Sequence, residues 1–300
     1  MPQLTHNRAV LLMVAVALLW STAGMVTRHL EFARSLEVTF WRAFFAALSL
    51  LVIMPVLRGR QVFSNIRHAG LSLWFSGLCW CVMFTAFMLA LTMTSVGNAL
   101  VTMSVGPLMT AVLAWVWLKH QVPARTWFAM VAAAGGIVYM YAAQMADINW
   151  PGTLMALSVP MAAAVNWTVN QRAQSHGEKV DMMPAVWIGA CLSSLLTLPL
   201  AWPLQASAHD VALLGLLGAF QLALPCALCV LCARLLKAPE ISLLQLLEVI
   251  FGILLVWLGA GEAPTASVLW GGTIVLGALV INEWMGWRQR KWVLNSQATM

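Results

Sequence analysis

Charged residues are what this sequence has least of. Only 9% of its 300 residues are Asp, Glu, Lys or Arg, whereas 62% are hydrophobic. A soluble domain of this length and composition would have almost no polar surface to present to water. The composition therefore excludes a soluble globular protein and predicts an integral membrane protein.

Motifs of several enzyme classes are also absent. There is no Gly-x4-Gly-Lys-(Ser/Thr) loop, which excludes ATP hydrolysis by this chain. There is no His-Glu-x-x-His motif, no close pair of acidic residues at the membrane face, and no His within a predicted span. The six cysteines fall inside predicted spans without a neighbouring His or carboxylate, so we interpret them as small apolar residues. We predict no catalytic residues, no metal and no cofactor.

Long apolar runs are what the sequence has in abundance. A bilayer core of about 30 Å needs roughly 20 apolar residues per helix. Ten segments meet this requirement and are predicted as spans at 9–28, 36–57, 69–92, 96–118, 126–146, 150–172, 183–203, 211–233, 240–259 and 266–286. The connections are short, so any function must lie among the helices.

The distribution of Lys and Arg predicts the orientation. Threading the ten spans with the N-terminus inside places thirteen of the sixteen basic residues in the cytoplasm. Arg28 and Arg34 face outward, and Arg42 lies within a span. This asymmetry over short loops follows the positive-inside rule and predicts two cytoplasmic tails, at 1–8 and 287–300. The same loops account for the net charge of +6, so no nucleic-acid partner is needed.

The two halves of the chain are weakly similar. A shift of 142 positions aligns Trp115 with Trp257, His120 with Glu262 and Gly135 with Gly277. A five-helix unit used twice, at 9–146 and 150–286, explains this similarity. Because five is odd, the second unit is inverted relative to the first, as in many secondary transporters.

Several short segments resemble the paired EamA-type domains of the drug/metabolite transporter superfamily. They are Leu19-Trp20-Ser21-Thr22, Glu37 through Arg42, Ser95-Val96-Gly97-Asn98-Ala99 leading to Pro107, Leu247-Glu248-Val249, Gly261-Glu262 and Gly271-Gly272. The resemblance covers nearly the whole chain, from about Val10 to Asn282. It implies a bacterial inner-membrane carrier that exports amino acids, related metabolites or drugs by alternating access.

Alternatives to export remain open from the sequence. They are import of a small metabolite, a membrane-embedded enzyme, and a channel or sensor that binds solute without moving it. Coupling to a proton or another ion and assembly into a homodimer are also left open.

Glu248 is the first candidate for the substrate or coupling site. A carboxylate near the middle of a span must face the bundle interior or a wet cavity, where it could hold a proton or a cationic group of the solute. Gln245 and Gly252 lie on the same helical face. The alternatives are a structural polar contact between helices or a pair with Arg42. Arg42 itself could instead extend toward the outer interface.

Other polar and aromatic side chains within spans are further candidates. Asn98 and Thr102 share one helical face, as do Asn166 and Asn170, and Gln221 lies mid-helix. Each could also be ordinary interhelical hydrogen bonding. The deep Trp20 and Trp80, with Phe84 and Phe87, could line a cavity for a flat solute or a cation, or simply pack. Finally, Pro107, Pro160 and Pro225 are predicted to bend their helices.

Overall fold

The protein is helical throughout the part of the chain that the structure describes. The computed structural model describes residues 5–59, 62–67, 70–118, 122–142, 149–175, 183–232, 236 and 238–298. These residues contain no β-strand. The all-α prediction is confirmed.

Thirteen α-helices and one π-helical segment make up most of the described residues. The helices are α1 (His6–Thr27), α2 (Ser35–Arg58), α3 (Val62–Arg67), α4 (Leu71–Met93), α5 (Val96–Met103), α6 (Gly106–Leu118), α7 (Ala124–Ala142), α8 (Trp150–Ser175), α9 (Met183–Ala201), α10 (Ala208–Leu216), α11 (Leu224–Cys232), α12 (Ala238–Ala260) and α13 (Ala266–Ala298). The π-helical segment Leu217–Ala223 joins α10 to α11.

Eight segments of the described chain are long and apolar enough to cross a membrane, which makes this a multi-pass membrane protein. Two of them are built from joined helices, α5 with α6 and α10 with α11. The fifth and ninth predicted spans are not among the eight. They correspond to α7 and to α12, whose described apolar part is the shorter helix Leu244–Ala260. The count of ten spans therefore stays a prediction.

Proline interrupts two of these spans. The segment predicted at 96–118 divides at Ser104 and Val105, and Pro107 becomes the second residue of α6. A proline in a first helical turn loses nothing, because its missing N–H would have no intrahelical partner. Pro225 follows the π-helical segment, where it cannot bond the Gln221 carbonyl and its ring crowds that turn. In contrast, α8 continues through Pro160.

Small residues let the helices approach closely. At the crossing of α7 and α13, a Cβ added to Gly136 would lie 2.8 Å from the Gly271 carbonyl oxygen. A Cβ on Gly271 would lie 2.6 Å from the Gly136 carbonyl oxygen. Both distances are too short for real contacts, so the two backbones touch here only because side chains are missing.

Buried carboxylates hold the loops at one end of the bundle. Asp210 accepts backbone hydrogen bonds at 2.8–3.0 Å from residues 31–33, in the linker between α1 and α2. Glu37 of α2 is fully buried and accepts backbone hydrogen bonds from Gln205 and Ala206, in the linker between α9 and α10. Asp210, near the start of α10, therefore holds the α1–α2 linker. Glu37, near the start of α2, holds the α9–α10 linker in the same way.

At the same end, Arg28 of the α1–α2 linker contacts two further linkers, the one before α5 and the one before α13. Arg28 donates from Nε to Glu262 at 2.5 Å, and its other nitrogens donate to the carbonyls of Leu91 and Thr94. Glu262 also accepts the Val96 N–H at 2.9 Å. We call this end of the bundle, formed by residues 28–34, 94–95, 202–207 and 261–265, the anchored end.

Candidate functional site

Arg42 places a positive charge in the interior of the bundle. Its side chain projects from α2 and the residue is only 2% exposed. Nη1 donates to the Met88 thioether sulfur at 2.8 Å, and the guanidinium carbon lies 5.3 Å from the Phe87 ring centroid. The side chain is therefore directed inward and does not extend toward the interface.

The surroundings of Arg42 compensate its charge poorly. A thioether is a weak hydrogen-bond acceptor, and an aromatic face adds a modest cation–π attraction. No carboxylate oxygen of the described residues lies within 4.0 Å of the guanidinium. A guanidinium has five N–H donors, so this one retains capacity for an anion.

Glu248 supplies the opposite charge from α12. The residue is partly buried, and its carboxylate accepts no hydrogen bond from any described residue. It interacts electrostatically with Arg42, yet the two side chains form no direct ion pair. In the described part of the chain, α2 and α12 also have no extended backbone contact. The two charges therefore interact electrostatically and do not form a closed salt bridge.

Helices α1 and α11 complete the surroundings of these two charges. Cys226 of α11 is 2% exposed and lies near both Arg42 and Glu248, with the Trp20 side chain beside its sulfur. Gln221 donates from Nε2 to the Trp20 carbonyl at 3.1 Å. Its Oε1 atom is buried and meets no donor among the described residues. We call Trp20, Arg42, Gln221, Cys226 and Glu248 the central cluster.

Four of the ten predicted site residues thus come together in the central cluster. These are Trp20, Arg42, Gln221 and Glu248. Gln245, one turn before Glu248 in α12, is partly buried. Glu248 and Arg42 were predicted as a possible pair, and the structure places them near each other without direct contact.

Other predicted residues make contacts between helices elsewhere. Asn166 Oδ1 accepts a hydrogen bond from the Ser76 hydroxyl at 2.6 Å, which joins α8 to α4. Thr102 bonds the Tyr141 hydroxyl at 3.1 Å, which joins α5 to α7. Both side chains therefore form interhelical hydrogen bonds of the kind that the sequence left open as an alternative, and their role at a site stays a prediction.

The remaining predicted residues lie apart from these contacts. Trp80 lies against Phe84 in a tilted ring pair and packs against Gly189 of α9, and its Nε1 is buried without an acceptor among the described residues. Asn98 is 6% exposed, three residues beyond the Ser95 cap of α5. The side chain of Asn170 lies outside the described residues.

Met88 and Cys226 were missed as site residues. Both lie in apolar runs, and neither side chain is charged or strongly polar, so the sequence gives no signal that separates them from ordinary packing residues. Phe87 was noticed only as part of an aromatic series. Their importance follows from the position of Arg42, which no local pattern reports.

Comparison with known proteins gives matches over most of the chain. The EamA-like transporter family matches twice, at residues 7–142 and 150–284. Two similar proteins are S-adenosylmethionine uptake transporters. The one from Rickettsia prowazekii (strain Madrid E) is 28% identical over 61% of this chain and 61% of its own length. The one from Rickettsia conorii (strain ATCC VR-613 / Malish 7) is 25% identical over 81% of this chain and 80% of its own length.

A solved crystal structure has the same fold. It superposes with a TM-score of 0.63 and covers 95% of this chain and 99% of the other chain. The sequence identity is 16%, so this likeness concerns the fold alone.

Proposed function

Because the chain belongs to the EamA-like transporter family, we propose that it moves a small organic metabolite across the membrane by alternating access. It is a transporter and not an enzyme. The observation that carries the proposal is the central cluster, in which a buried Arg42 and a partly buried Glu248 face each other without pairing. Ionisable groups at membrane depth are expensive and typically mark a substrate or ion pathway.

The proposed architecture is ten spans in two inverted five-helix repeats, at 9–146 and 150–286. It is supported by the shift of 142 positions that aligns the halves and by the two separate family matches. It is also supported by the interrupted helices, since transporters commonly build their central sites from broken helices. We further propose that the protein resides in the bacterial inner membrane with both termini in the cytoplasm.

In this proposal the central cluster binds the solute and the anchored end acts as one of two gates. The ties made by Arg28, Glu37, Asp210 and Glu262 close that end, and their release would expose the cluster at the anchored end. Glu248 would hold a cationic group of the solute or a proton during this exchange. The polar residues Asn98, Thr102, Gln245, Asn166, Asn170 and Trp80 are kept as candidates for lining the path.

The direction of transport has two candidates. The family resemblance implies export, and the relatives from two Rickettsia species are named as uptake transporters. The names favour import as the second candidate, with S-adenosylmethionine or a similar solute as cargo. Either direction uses the same site, because an alternating-access carrier follows the gradient that is imposed on it.

Reconstitution tests the proposal. Purified protein in liposomes preloaded with unlabelled solute should accumulate external radiolabelled solute by counterflow, with S-adenosylmethionine and a panel of amino acids as solutes. Glu248→Gln and Arg42→Gln should each abolish counterflow, whereas Arg8→Gln, at an exposed position near the start of α1, should retain it. Full counterflow by both interior variants would contradict the proposed site. Flux that never saturates would favour a channel.

A further inference from the structure

The central cluster contains two opposite charges, and each lacks a direct partner of its own. The Arg42 guanidinium has a thioether and an aromatic ring as its contacts, and no described carboxylate lies within 4.0 Å. The Glu248 carboxylate receives no hydrogen bond from the described residues. A closed ion pair between them would leave little electrostatic reason to bind a charged solute. Their separation leaves both available.

The chemistry of the two groups restricts what can bind between them. A guanidinium binds a carboxylate best, through two parallel N–H···O bonds. A carboxylate in a low-dielectric site binds a cation. A simple anion at Arg42 would leave Glu248 uncompensated and would be repelled by it. A simple cation at Glu248 would leave Arg42 in the same condition.

A solute with both charges satisfies both residues at once. Resting on the proposed function, we infer that the central cluster recognises a zwitterion, with Arg42 binding its carboxylate and Glu248 binding its ammonium or sulfonium group. In the absence of solute the Met88 sulfur accepts a hydrogen bond from the guanidinium, and the carboxylate of the solute replaces it as acceptor. The occupied site then has no net charge, which lowers the barrier to moving it through a low-dielectric bundle.

The flanking side chains fit this assignment. Phe87 presents its ring face to the guanidinium, and because a ring face is not a conventional hydrogen-bond acceptor, N–H donors remain for a carboxylate. Trp20 and Cys226 lie beside the two charges and provide polarisable surface for an onium group, which an aromatic face attracts. The Gln221 Oε1 atom, which has no donor among the described residues, offers one further acceptor for ammonium hydrogens.

Binding of matched compounds tests this inference. The probes are L-methionine, its methyl ester, N-acetyl-L-methionine and S-adenosylmethionine. Binding of each probe is measured by thermal stabilisation of the protein, alone and in competition with the amino acid that binds best. A zwitterion should bind about 10- to 100-fold more tightly than the compound that lacks either charge, the range expected for one charge-assisted hydrogen bond. Equal binding of the ester, the N-acetyl compound and the zwitterion would overturn the inference, as would stabilisation by none of the zwitterions.

The variants assign each charge to its residue. Arg42→Gln should bind the acid and its ester equally while still discriminating against the N-acetyl compound. Glu248→Gln should show the reverse selectivity. Arg42→Lys, which keeps the charge, should retain part of the preference for the acid. Each result is a ratio of the affinities of two compounds for the same variant, so a general loss of stability would not produce the expected change. Unchanged selectivity in both Gln variants would contradict the assignment.

The outcome separates this inference from the proposed function. Counterflow of an uncharged solute, without counterflow of zwitterions, would leave the transporter intact and refute the zwitterion site. Tight, charge-dependent binding of a zwitterion without any counterflow would refute transport and leave the recognition site intact.

Discussion

The contact between Arg42 and Met88 shows why an apolar side chain can matter at a charged site. Burial removes the guanidinium from water, and a thioether replaces only a small part of the lost hydration. The solute-free protein is therefore left with a charge that is incompletely compensated. A ligand carboxylate relieves this condition, so part of its binding free energy comes from the unfavourable state of the empty site.

Met88→Leu is predicted to lower stability without weakening binding. The substitution conserves volume, so the packing loss should stay below about 1.5 kcal/mol, and the guanidinium also loses its acceptor. Because that loss affects only the empty site, affinity for a zwitterion should be equal or higher. Thermal unfolding with and without L-methionine measures both effects. Met83→Leu, a buried control in the same helix α4, should change stability less, and an equal change in both would contradict the role of Met88.

Sequence reasoning identifies Glu248 and Arg42 because a charge inside an apolar run is conspicuous. It does not find Met88 or Cys226, since their relevance depends on which helix lies opposite Arg42. For the same reason it cannot tell that Asn166 bonds Ser76 and Thr102 bonds Tyr141. A polar side chain within a span is visible from sequence, but its partner is a property of the packed bundle.

The crossing of α7 and α13 depends on backbone contact at Gly136. The neighbouring Gly135 provides a control for a test of this contact. Gly135 and Gly136 are adjacent, yet a Cβ on Gly135 meets nothing within 4 Å, whereas on Gly136 it would lie 2.8 Å from a carbonyl oxygen. Gly136→Ala should lower the free energy of unfolding by about 1–3 kcal/mol through overpacking. Gly135→Ala should be neutral or stabilising by up to ~1 kcal/mol, because alanine favours helix.

Chemical or thermal unfolding in detergent measures the pair of glycine variants. Both substitutions add the same methyl group to the same helix, so the difference between them isolates the crossing. Equal effects would mean that α7 and α13 are not in contact at Gly136 in the folded protein.

Helix boundaries were more predictable than helix interiors. The span predicted at 183–203 is observed as Met183–Ala201, because the charged Asp181 precedes its first residue and Pro203 follows its last. The division at Ser104 follows from Pro107 and could be anticipated. The π-helical segment Leu217–Ala223 could not be, since proline permits several ways of relieving the crowded turn and the packing against α2 selects one.

The ion pair between Arg28 and Glu262 is predicted to stabilise the closed state of the anchored end. Glu262→Gln removes a charge-assisted bond that joins two linkers, which should cost about 1.5–3 kcal/mol in that state. Apparent stability should fall and a cysteine introduced at Ala263 should react faster with a thiol reagent. Glu31→Gln removes a largely exposed carboxylate at the same end and should have little effect. Equal labelling rates in both variants would contradict the gate.

The whole molecule raises the question of which side the anchored end faces. Its linkers contain Arg28 and Arg34, the only two basic residues that the predicted threading places outside, while the opposite linkers and the two tails contain thirteen. Short basic loops are retained in the cytoplasm. The anchored end should therefore face the periplasm, so that the central cluster is closed on that side in the described state.

Reporter fusions test this orientation directly. Alkaline phosphatase, which is active only after export, should be active when fused after Gln205 and inactive when fused after Lys179, and a green fluorescent protein after Met300 should fluoresce. Replacing Arg58, Arg60 and Arg67 together by Gln should reduce this asymmetry, because those residues hold one short loop inside. The opposite pattern of activity would mean that the bundle has the opposite orientation in the membrane. The ties at Asp210 and Glu262 would then close the cytoplasmic side, and the described state would be the one that accepts solute from the periplasm.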